Sequence, residues 1–317
     1  MIDFGLLYLS KNIDFFSNSL SDCRMSLCVI IPTCDRFPAL RDTLRGLARQ
    51  TRLPERVIVI DDGSPAAVFQ EMAEFCRTLG LPISLLSNAP KKGPAAARNA
   101  GILQAKEDFI LFINDDTRPA SPQFLERHLR FAETCPNCAI LGKLAWAPET
   151  PNPMLFGRWM RRATFDVGYD GLQAGDLLPF GKFCTANVLV PRHFLQTCLF
   201  DEGFPFAAYE DIELGYRLSK QGRRLCYNPD ACVYHCHAYT PEMVILRQEA
   251  AGASLAYFLR IHPELSRAYR PKLSHGAARL LHLFVRGPFL SLCSPDLRLY
   301  LTQLAAKYRA FWRAIEN

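Results

Sequence analysis

An apolar pentapeptide that ends in adjacent carboxylates constrains the fold of this chain more than any other feature. Phe109 to Ile113 reads Phe-Ile-Leu-Phe-Ile, and Asn114, Asp115 and Asp116 follow directly. A strand this apolar is typical of a parallel sheet that helices cover on both faces, and such sheets bind ligands at the carboxyl ends of their strands. Adjacent carboxylates repel each other unless a cation compensates. We therefore expect a divalent cation here, holding a diphosphate group.

Short apolar runs alternate with helical patterns through the first half of the chain. Strands are predicted at residues 27–31, 57–60, 83–86 and 109–113, with helices through 40–47, 68–79 and from 94 onward. Repeated units of this kind predict an α/β fold with a doubly wound, mostly parallel sheet flanked by helices. Further along, we expect a strand over 183–190, a helix over 210–221 that ends at Gly222, and helices from 241 to the end.

Composition and charge limit the classes of protein to which this chain can belong. Its 317 residues are 49% hydrophobic, which suffices for a substantial core and excludes a disordered chain. The formal net charge of +6 suits a phosphorylated substrate or an anionic membrane surface, and is too small to indicate a nucleic-acid binder. We expect three segments: an N-terminal extension (1–24), one α/β domain (25–240) and a helical C-terminal extension (241–317). No apolar run reaches the length of about 18 residues that a membrane span needs.

Twelve cysteines are scattered along the chain, several of them inside apolar strands. A secreted disulfide scaffold would be shorter and denser in cysteine, so free thiols and a cytoplasmic location are predicted. The apolar segment near the N-terminus is short and lacks the basic region of a secretory signal. Cys135 and Cys138 form a single CxxC pair, and a structural zinc site that combines them with His235 and His237 is an alternative interpretation.

Polar residues also follow the second predicted strand. Asp61 and Asp62 could accept hydrogen bonds from a nucleobase or a ribose, and Gly63 would allow close approach to the backbone. The same residues are equally typical of a turn that caps a helix. Arg98 lies in a helix start rich in small residues, where amides and a guanidinium could bind phosphate; tight packing on the sheet is the alternative.

Strand alternation, continued past the apolar pentapeptide, would put Asn114 and Asp116 on one side and Asp115 on the other. Asp116 would then reach furthest into the crevice as a ligand for Mg²⁺ or Mn²⁺. Glu210 and Asp211 begin an acidic helix, where carboxylates are ordinarily partners of the helix dipole. The apolar residues just before them could instead desolvate them and raise their basicity toward that of a catalytic base.

In this order and spacing, the motifs resemble those of family 2 glycosyltransferases, which have the GT-A fold. The resemblance spans about residues 26–237, with landmarks at 31–36, 61–64, 93–101, 114–117, 200–202, 210–217 and 235. It implies metal-dependent, inverting transfer of a sugar from a UDP- or dTDP-linked donor to a hydroxyl of a saccharide or lipid-linked acceptor. The metal would be Mg²⁺ or Mn²⁺, and family habit suggests cell-surface polysaccharide or glycolipid synthesis.

The resemblance also implies roles for individual residues. Asp116 stands at the last position of the family's DxD motif and, with His235, would hold the metal; asparagine at the first position is a departure. Asp211, with Glu210 beside it, matches the catalytic base. The residues that would bind the donor's nucleoside and phosphates are Pro32, Thr33, Asp35, Arg36, Asp61, Asp62, Arg98, Asn114 and Asp115.

Two other functions fit part of the pattern. A sugar nucleotidyltransferase has a similar sheet, but here the first strand leads into Pro32–Arg36 rather than into a glycine-rich loop with a lysine. A catalytically inactive partner protein that binds a sugar nucleotide or zinc is the other alternative. The basic and apolar residues of 241–317 fit either a helical cap on the sheet or a peripheral contact with the anionic inner face of a membrane.

Overall fold

The computed structural model describes residues 25–149, 169, 171–287, 290 and 292–316. The strands within these ranges are β1 (Leu27–Thr33), β2 (Arg56–Asp61), β3 (Ile83–Ser87), β4 (Phe109–Ile113), β5 (Thr117–Pro119), β6 (Cys138–Trp146), β7 (Leu177–Leu178), β8 (Asn187–Pro191) and β9 (Arg224–His235). The helices are α1 (Phe37–Ala48), α2 (Ala66–Thr78), α3 (Pro94–Gln104), α4 (Phe124–Thr134), α5 (Arg192–Leu195), α6 (Glu210–Lys220), α7 (Pro241–Ile261), α8 (Ser266–Tyr269), α9 (His275–Phe284) and α10 (Pro295–Glu316). The predicted extension 1–24 lies outside the described residues.

These strands form one sheet in the order β3-β2-β1-β4-β8-β6-β9-β5, with β7 paired to β9. β3, β2, β1 and β4 run parallel, as expected for strands that are joined by helices. β8 is antiparallel to both β4 and β6, whereas β6 and β9 are parallel. The predicted α/β fold is confirmed. The reversed direction of β8 escaped the sequence pattern because a buried strand reads as the same apolar run in either direction.

Helices cover both faces of the sheet, and alternate residues of the central strands supply two separate cores. Val29 and Ile31 of β1 pack with Leu40 of α1 on one face. Ile30 points to the other face and packs in a cluster with Ala97 of α3. Because both faces are buried, both sets of alternate residues in these strands are largely apolar. In β1, β2 and β4, polar side chains occur only at the strand ends.

The strand predicted over residues 183–190 is shorter than expected, because β8 begins only at Asn187. Residues 180–182 form a single 3₁₀ turn, and pairing with β4 starts opposite Ile113. The chain just before β8 lines a cavity instead of extending the sheet. The helix predicted over 210–221 is confirmed as α6, and Gly222 turns the chain with a φ of 74°.

The C-terminal helices pack against one another and against the α/β core. Gly252 of α7 faces α10 so closely that a β-carbon there would lie 2.1 Å from the carbonyl oxygen of Lys307. Only glycine permits this approach of the two backbones. The contact brings Lys307 to the start of α6, where its Nζ donates a hydrogen bond to the Tyr209 hydroxyl at 3.1 Å. Within the described ranges, no helix combines the length and the apolarity that crossing a membrane requires.

A buried histidine ties α4 to three strands. His128 is fully buried, and its Nε2 lies 2.8 Å from Oδ1 of Asn187 in β8. The amide nitrogen of Asn187 donates to the carbonyls of Lys143 in β6 and Ala231 in β9. Burial lowers the pKa of His128 from 6.5 to about 4, so the folded protein holds this imidazole neutral at physiological pH.

We expect His128 to make the protein less stable as the pH falls. Between the folded pKa of about 4 and the unfolded pKa of 6.5, only the unfolded chain binds the proton. The free energy of unfolding therefore decreases as the pH decreases through this range. The loss amounts to at most about 3 kcal/mol at pH 4. In urea unfolding at pH 7 and pH 5, His128→Gln should lose this part of the acid sensitivity, whereas the control His193→Gln, an exposed histidine whose pKa is lowered less, should lose a smaller part. If the free energy of unfolding decreases equally between pH 7 and pH 5 in the parent and in His128→Gln, the assignment to His128 is contradicted.

Candidate active site

A cavity of about 770 Å³ opens at the carboxyl ends of β1, β2 and β4. Asp116, which follows β4, and Asp211, which begins α6, both line it. The side chains that the sequence paired as metal ligand and base therefore face one compartment, although 94 intervening residues separate them in the chain. The further lining residues from the predicted site are Pro32, Thr33, Arg36, Asp62, Arg98, Asn114, Asp115, Glu210 and His235.

Arg36 lies between the two carboxylates that follow β4. Its Nη2 is 2.6 Å from Oδ2 of Asp116, and its Nη1 is 3.3 Å from Oδ1 of Asp115. Alternation past β4 therefore does not separate Asp115 from Asp116, and that prediction is wrong. The reason is local: β4 ends at Ile113, and the Thr117 hydroxyl donates to the Asn114 carbonyl at 2.8 Å, which closes a turn.

The end of β9 brings two histidines to Asp116. Nε2 of His235 and Nδ1 of His237 lie 3.3 Å and 3.5 Å from Oδ2 of Asp116. His235 is the last residue of β9 and His237 lies two residues beyond it, so the end of one strand and the segment that follows it supply both imidazoles. The sequence identified His235 for this position. The structure adds His237, whose pKa burial and the nearby Arg36 lower to about 4.

The charges around Asp116 suit a bound cation. Burial opposes ionisation of Asp116, yet His235 and Arg36 hold its pKa below the usual range. Burial raises the pKa of Asp115 to about 6, with Arg36 opposing and Asp116 adding to the rise. In the part of the chain that the structure describes, the buried Oδ1 of Asp116 has no hydrogen-bond partner. A carboxylate oxygen without a partner, beside carboxylate, amide and imidazole donors, fits Mg²⁺ or Mn²⁺.

Arg98 connects the metal side of the cavity to the start of α6. Its Nη1 lies 3.0 Å from Oε1 of Glu210, and its Nη2 donates to Oδ1 of Asn114 at 3.4 Å. Both Arg98 and Glu210 are buried, so each charge depends on the other for compensation. The small residues of α3 serve close packing as well: a β-carbon at Gly101 would meet Ile30 of β1 at 2.8 Å. The packing interpretation of this helix start is therefore confirmed, whereas phosphate binding by Arg98 stays a prediction.

Asp211, at the start of α6, lines the same cavity as Asp116. Burial raises its pKa, while Arg98 and hydrogen bonds from the backbone of Ile212 and Thr185 oppose the rise. Burial likewise raises the pKa of Glu210, to about 6. Tyr209, just before the helix, has a φ of 68°, a left-handed conformation that costs about 1 kcal/mol or more in a residue with a side chain. This sharp turn aims the first carboxylates of α6 into the cavity.

The carboxylates after β2 shape the neighbouring loop. Asp62 accepts hydrogen bonds from the backbone amides of Lys92 and Gly93 at 2.9 Å and 2.8 Å. Asp61 accepts from the backbone amide of Ser64 at 3.1 Å, which forms a turn, but the N-cap residue of α2 is Pro65 and no side chain caps this helix. Asp62 lines the cavity, whereas Asp61 is not among the described residues that line it.

The predicted donor-binding residue Asp35 is exposed and also lies outside the cavity lining that the structure describes. Its backbone amide donates to the Ser64 hydroxyl at 2.7 Å, which joins the loop after β1 to the loop after β2. Asp35 therefore sits beside the cavity mouth.

Several basic side chains in the cavity wall escaped the sequence reasoning. They come from the loop before α3, from the segment before β8, and from the C-terminal helices: Lys91, Lys182, Arg247 and Lys307. Arg247 and Lys307 belong to a part of the chain whose interleaved basic and apolar residues indicated only a cap or a membrane contact. No local signal distinguishes a cavity-lining arginine of α7 from a solvent-exposed one, because the packing of α7 on the core decides it.

Comparison with curated proteins gives relatives that transfer sugars. The pre-mycofactocin glycosyltransferase of Mycobacterium tuberculosis is 30% identical over 249 residues, which cover 74% of this chain and 48% of that protein. The validoxylamine A glucosyltransferase of Streptomyces hygroscopicus subsp. limoneus is 30% identical over 220 residues, 62% of this chain and 48% of that protein. The chain thus spans about half the length of these curated relatives.

Solved structures share the fold. The mannosyltransferase PcManGT from Pyrobaculum calidifontis, in complex with GDP-Man and Mn²⁺, superposes with a TM-score of 0.60 at 17% identity, covering 90% of this chain and 87% of that one. Residues 1–349 of S. aureus TarS, in complex with UDP-GlcNAc, give a TM-score of 0.52 at 19% identity, with 92% and 91% covered. At this identity the likeness establishes the GT-A fold alone.

Two family profiles match the chain. The profile of glycosyl transferase family 2 matches residues 28–178, and that of glycosyl transferase family group 2 matches residues 109–302, which is more than half of the chain. The matched ranges include β4, its following carboxylates and the start of α6. The chain belongs to the family 2 glycosyltransferases.

Proposed function

We propose that this protein is a metal-dependent, inverting glycosyltransferase that moves a sugar from a nucleotide-diphosphate sugar to an acceptor hydroxyl. The observation that carries the proposal is one cavity lined both by Asp116, which follows β4, and by Asp211, at the start of α6. Transfer with inversion needs a leaving diphosphate on one side of the anomeric carbon and a proton acceptor on the opposite side. Asp116 and Asp211 are suited to these two tasks.

The proposed donor site lies at the ends of β1, β2 and β4. Basic side chains from separate elements face this region, and anionic phosphates would be attracted to them. Arg36 contributes its guanidinium beside Asp115 and Asp116. Pro32, Thr33 and Asp62 line the part of the cavity where we propose that the nucleoside binds. Asp61 and Asp35 support this part by holding Ser64 between the two loops.

We assign Asp116 and His235 as the ligands that would hold Mg²⁺ or Mn²⁺, with His237 adjacent. A bound divalent cation stabilises the negative charge that develops on a departing diphosphate. Asp116 suits this role because its pKa lies below the usual range, so the carboxylate stays ionised across physiological pH. GDP-Man with Mn²⁺ in the mannosyltransferase and UDP-GlcNAc in TarS support a nucleotide sugar and a metal for this chain.

We assign Asp211 as the base that accepts the proton of the acceptor hydroxyl, and Glu210 as the group that positions Arg98. Asp211 is only partly buried and lines the cavity, whereas the carboxylate of Glu210 is held in an ion pair with Arg98 at 3.0 Å. The raised pKa of Asp211 increases its basicity, which favours proton transfer near neutral pH. Attack from the Asp211 side would displace the diphosphate from the opposite face and invert the anomeric centre.

The test is transfer by the purified chain. The protein with Mn²⁺ is incubated with a panel of nucleotide sugars, including UDP- and dTDP-linked donors, and release of nucleoside diphosphate and thermal shift are measured. We expect one donor class to raise the melting temperature and to be hydrolysed slowly, and EDTA to abolish both effects. Release of pyrophosphate from a nucleoside triphosphate and a sugar phosphate would instead identify a nucleotidyltransferase. No response to any nucleotide sugar would contradict the proposal.

We also propose that the C-terminal helices contact an anionic membrane from the cytoplasmic side, beside a lipid-linked acceptor. On α9, Leu280, Leu283 and Phe284 are exposed at helical spacing on one face. Arg279 and Arg286 are exposed next to this face. An amphipathic helix of this kind lies in the plane of a membrane surface, where its apolar side chains enter the interface and its basic side chains meet anionic headgroups.

We expect the protein to sediment with vesicles that contain phosphatidylglycerol at low salt, and to be released by high salt. The double substitution Leu280→Ser/Leu283→Ser should abolish sedimentation. Leu103→Ser, which changes a similarly exposed leucine on α3, is the matched control and should bind as the parent does. Point substitutions are preferable to truncation because α7 and α10 form part of the cavity wall. Failure of the parent to bind at low salt would remove this proposal.

A further inference from the structure

Three cysteines converge at the end of the sheet that is remote from the cavity. Cys135 follows the last residue of α4, Cys138 begins β6, and Cys226 lies in β9. The Sγ atom of Cys135 lies 3.0 Å from that of Cys138 and 2.8 Å from that of Cys226, and all three lie within 4.8 Å of one another. Ninety-one positions separate Cys135 from Cys226, so the tertiary fold alone brings these thiols together.

The sheet register explains the convergence. In the parallel pair of β6 and β9, Cys138 is opposite Arg224, and Ile140 is opposite Cys226. Cys138 and Cys226 therefore project from the same face, two positions apart on neighbouring strands. The turn after α4 folds Cys135 onto this face, with Asn137 in a left-handed conformation at φ 61°. Cys138 and Cys226 are buried, and Cys135 remains partly open to solvent.

We propose that Cys135, Cys138 and Cys226 bind a thiophilic divalent cation, Zn²⁺ first, as a structural site. Zinc–sulfur bonds of about 2.3 Å place the sulfurs of a tetrahedral site about 3.8 Å apart. The present separations reach that value if the sulfurs move apart by about an ångström. Among the described residues, no other histidine, cysteine or carboxylate joins the cluster, so water or an added ligand takes the fourth position through the open side at Cys135.

The surroundings favour a structural metal over a reactive thiol. Cys138 and Cys226 are buried, whereas nucleophilic and redox-active cysteines lie at partly exposed, electropositive positions. A coordinated cation displaces thiol protons directly. Three thiolates with one divalent cation carry a net charge of −1, which the exposed guanidinium of Arg224 lies close enough to balance. The site would join the end of α4 to two strands of the sheet.

The proposed site differs from the zinc site that the sequence suggested, in which the CxxC pair would bind the metal together with His235 and His237. Cys138 and Trp146 are at opposite ends of β6, and Trp146 is opposite His235 in the register. Eight residues of strand separate these ends by about 26 Å. His235 and His237 cannot share a cation with Cys138, and zinc at the cluster would therefore say nothing against catalysis in the cavity.

The test is a cobalt titration of the full, untagged chain, reduced and freed of metal. Thiolate ligands give Co²⁺ a sulfur-to-metal charge-transfer band in the near ultraviolet, which the carboxylate and imidazole groups of the cavity do not give. We expect the band to saturate at one Co²⁺ per chain and to disappear when Zn²⁺ is added. Cys226→Ser and Cys135→Ser should weaken binding by at least about 100-fold. Cys232→Ser, another cysteine of β9 outside the cluster, should bind as the parent does.

Thermal unfolding provides the second measurement. Zinc should raise the melting temperature of the parent and of Cys232→Ser by more than that of Cys135→Ser, in which only the proposed cation site at Asp116 remains to bind it, since binding energy adds to folding energy only where a site exists. Cys135 is the least buried of the three, so its variant is the one expected to fold normally. Absence of the band in the reduced parent would overturn the proposal, as would an equal band in the triple cysteine variant. A Cys135–Cys226 disulfide in the air-exposed protein, with no band after reduction, would also overturn it.

Discussion

Asp211→Asn should lower sugar transfer by about 10²- to 10⁴-fold while leaving donor binding unchanged. Asparagine has the same shape as aspartate and can still accept the hydrogen bond that the Ile212 amide donates at 2.8 Å. It cannot take up a proton at neutral pH, so the acceptor hydroxyl would have to attack without a base. The measurement is initial velocity with a donor from the panel, together with calorimetric titration of the same donor in the presence of Mn²⁺.

The neighbouring carboxylate provides the sharpest contrast. Glu210→Gln should weaken the ion pair with Arg98 and thereby disturb the cavity, with some loss of stability as well as of activity. Asp211→Asn should leave stability nearly unchanged, and Asp42→Asn, on the exposed surface of α1, should change neither quantity. If Glu210→Gln eliminates transfer without affecting stability, and Asp211→Asn retains substantial turnover, the base has been assigned to the wrong residue.

The pH dependence of sugar transfer also tests whether Asp211 is the base. A general base acts only when deprotonated, so activity should fall as the pH drops through the pKa of Asp211. Burial raises that pKa, which moves the acidic limb to higher pH than an ordinary aspartate would give. The residual activity of Asp211→Asn should lack this limb. A limb that persists unchanged in the variant would assign the titration to another group.

Asp116→Ala should abolish the dependence of donor affinity on Mn²⁺. Substitution of residues that only support metal ligands commonly costs 10- to 100-fold in metal affinity, so loss of a ligand should cost at least about 100-fold. The parent should bind the donor more tightly with Mn²⁺ than with EDTA, and the variant should bind it equally weakly in both. Calorimetry in the two buffers measures the difference directly.

Asp116→Asn separates charge from shape. The amide keeps an oxygen in place but removes the negative charge that pairs with Arg36 at 2.6 Å, so metal-dependent affinity should again be lost while the fold is retained. Arg36 can still pair with Asp115 in this variant, which limits the cost to stability. Asp42→Asn again serves as the control. Donor affinity that remains as sensitive to Mn²⁺ in Asp116→Asn as in the parent would refute the assignment.

Local sequence pattern predicts well those elements whose burial does not depend on which strands or helices lie beside them. Phe109 to Ile113 must be buried on both faces whichever strands flank it, so the apolar run alone indicated a covered sheet. The order of the polar strand ends likewise indicated the crevice, because parallel strands that are joined by helices end at one edge. Prediction was wrong where it extended one element past its end. Asn114 to Asp116 leave the strand, so a period of two residues no longer applies to them.

Local sequence patterns were enough to predict the α/β architecture, the strand end with its paired carboxylates and the acidic helix start, since each depends on residues within one short segment. Four contacts could be seen only in the folded protein: Arg36 lies between the carboxylates, His237 lies beside His235, α7 and α10 line the cavity, and Cys226 contacts Cys135. Each of these contacts joins side chains by strand register or helix packing. Register and packing depend on the whole core, which no local periodicity encodes.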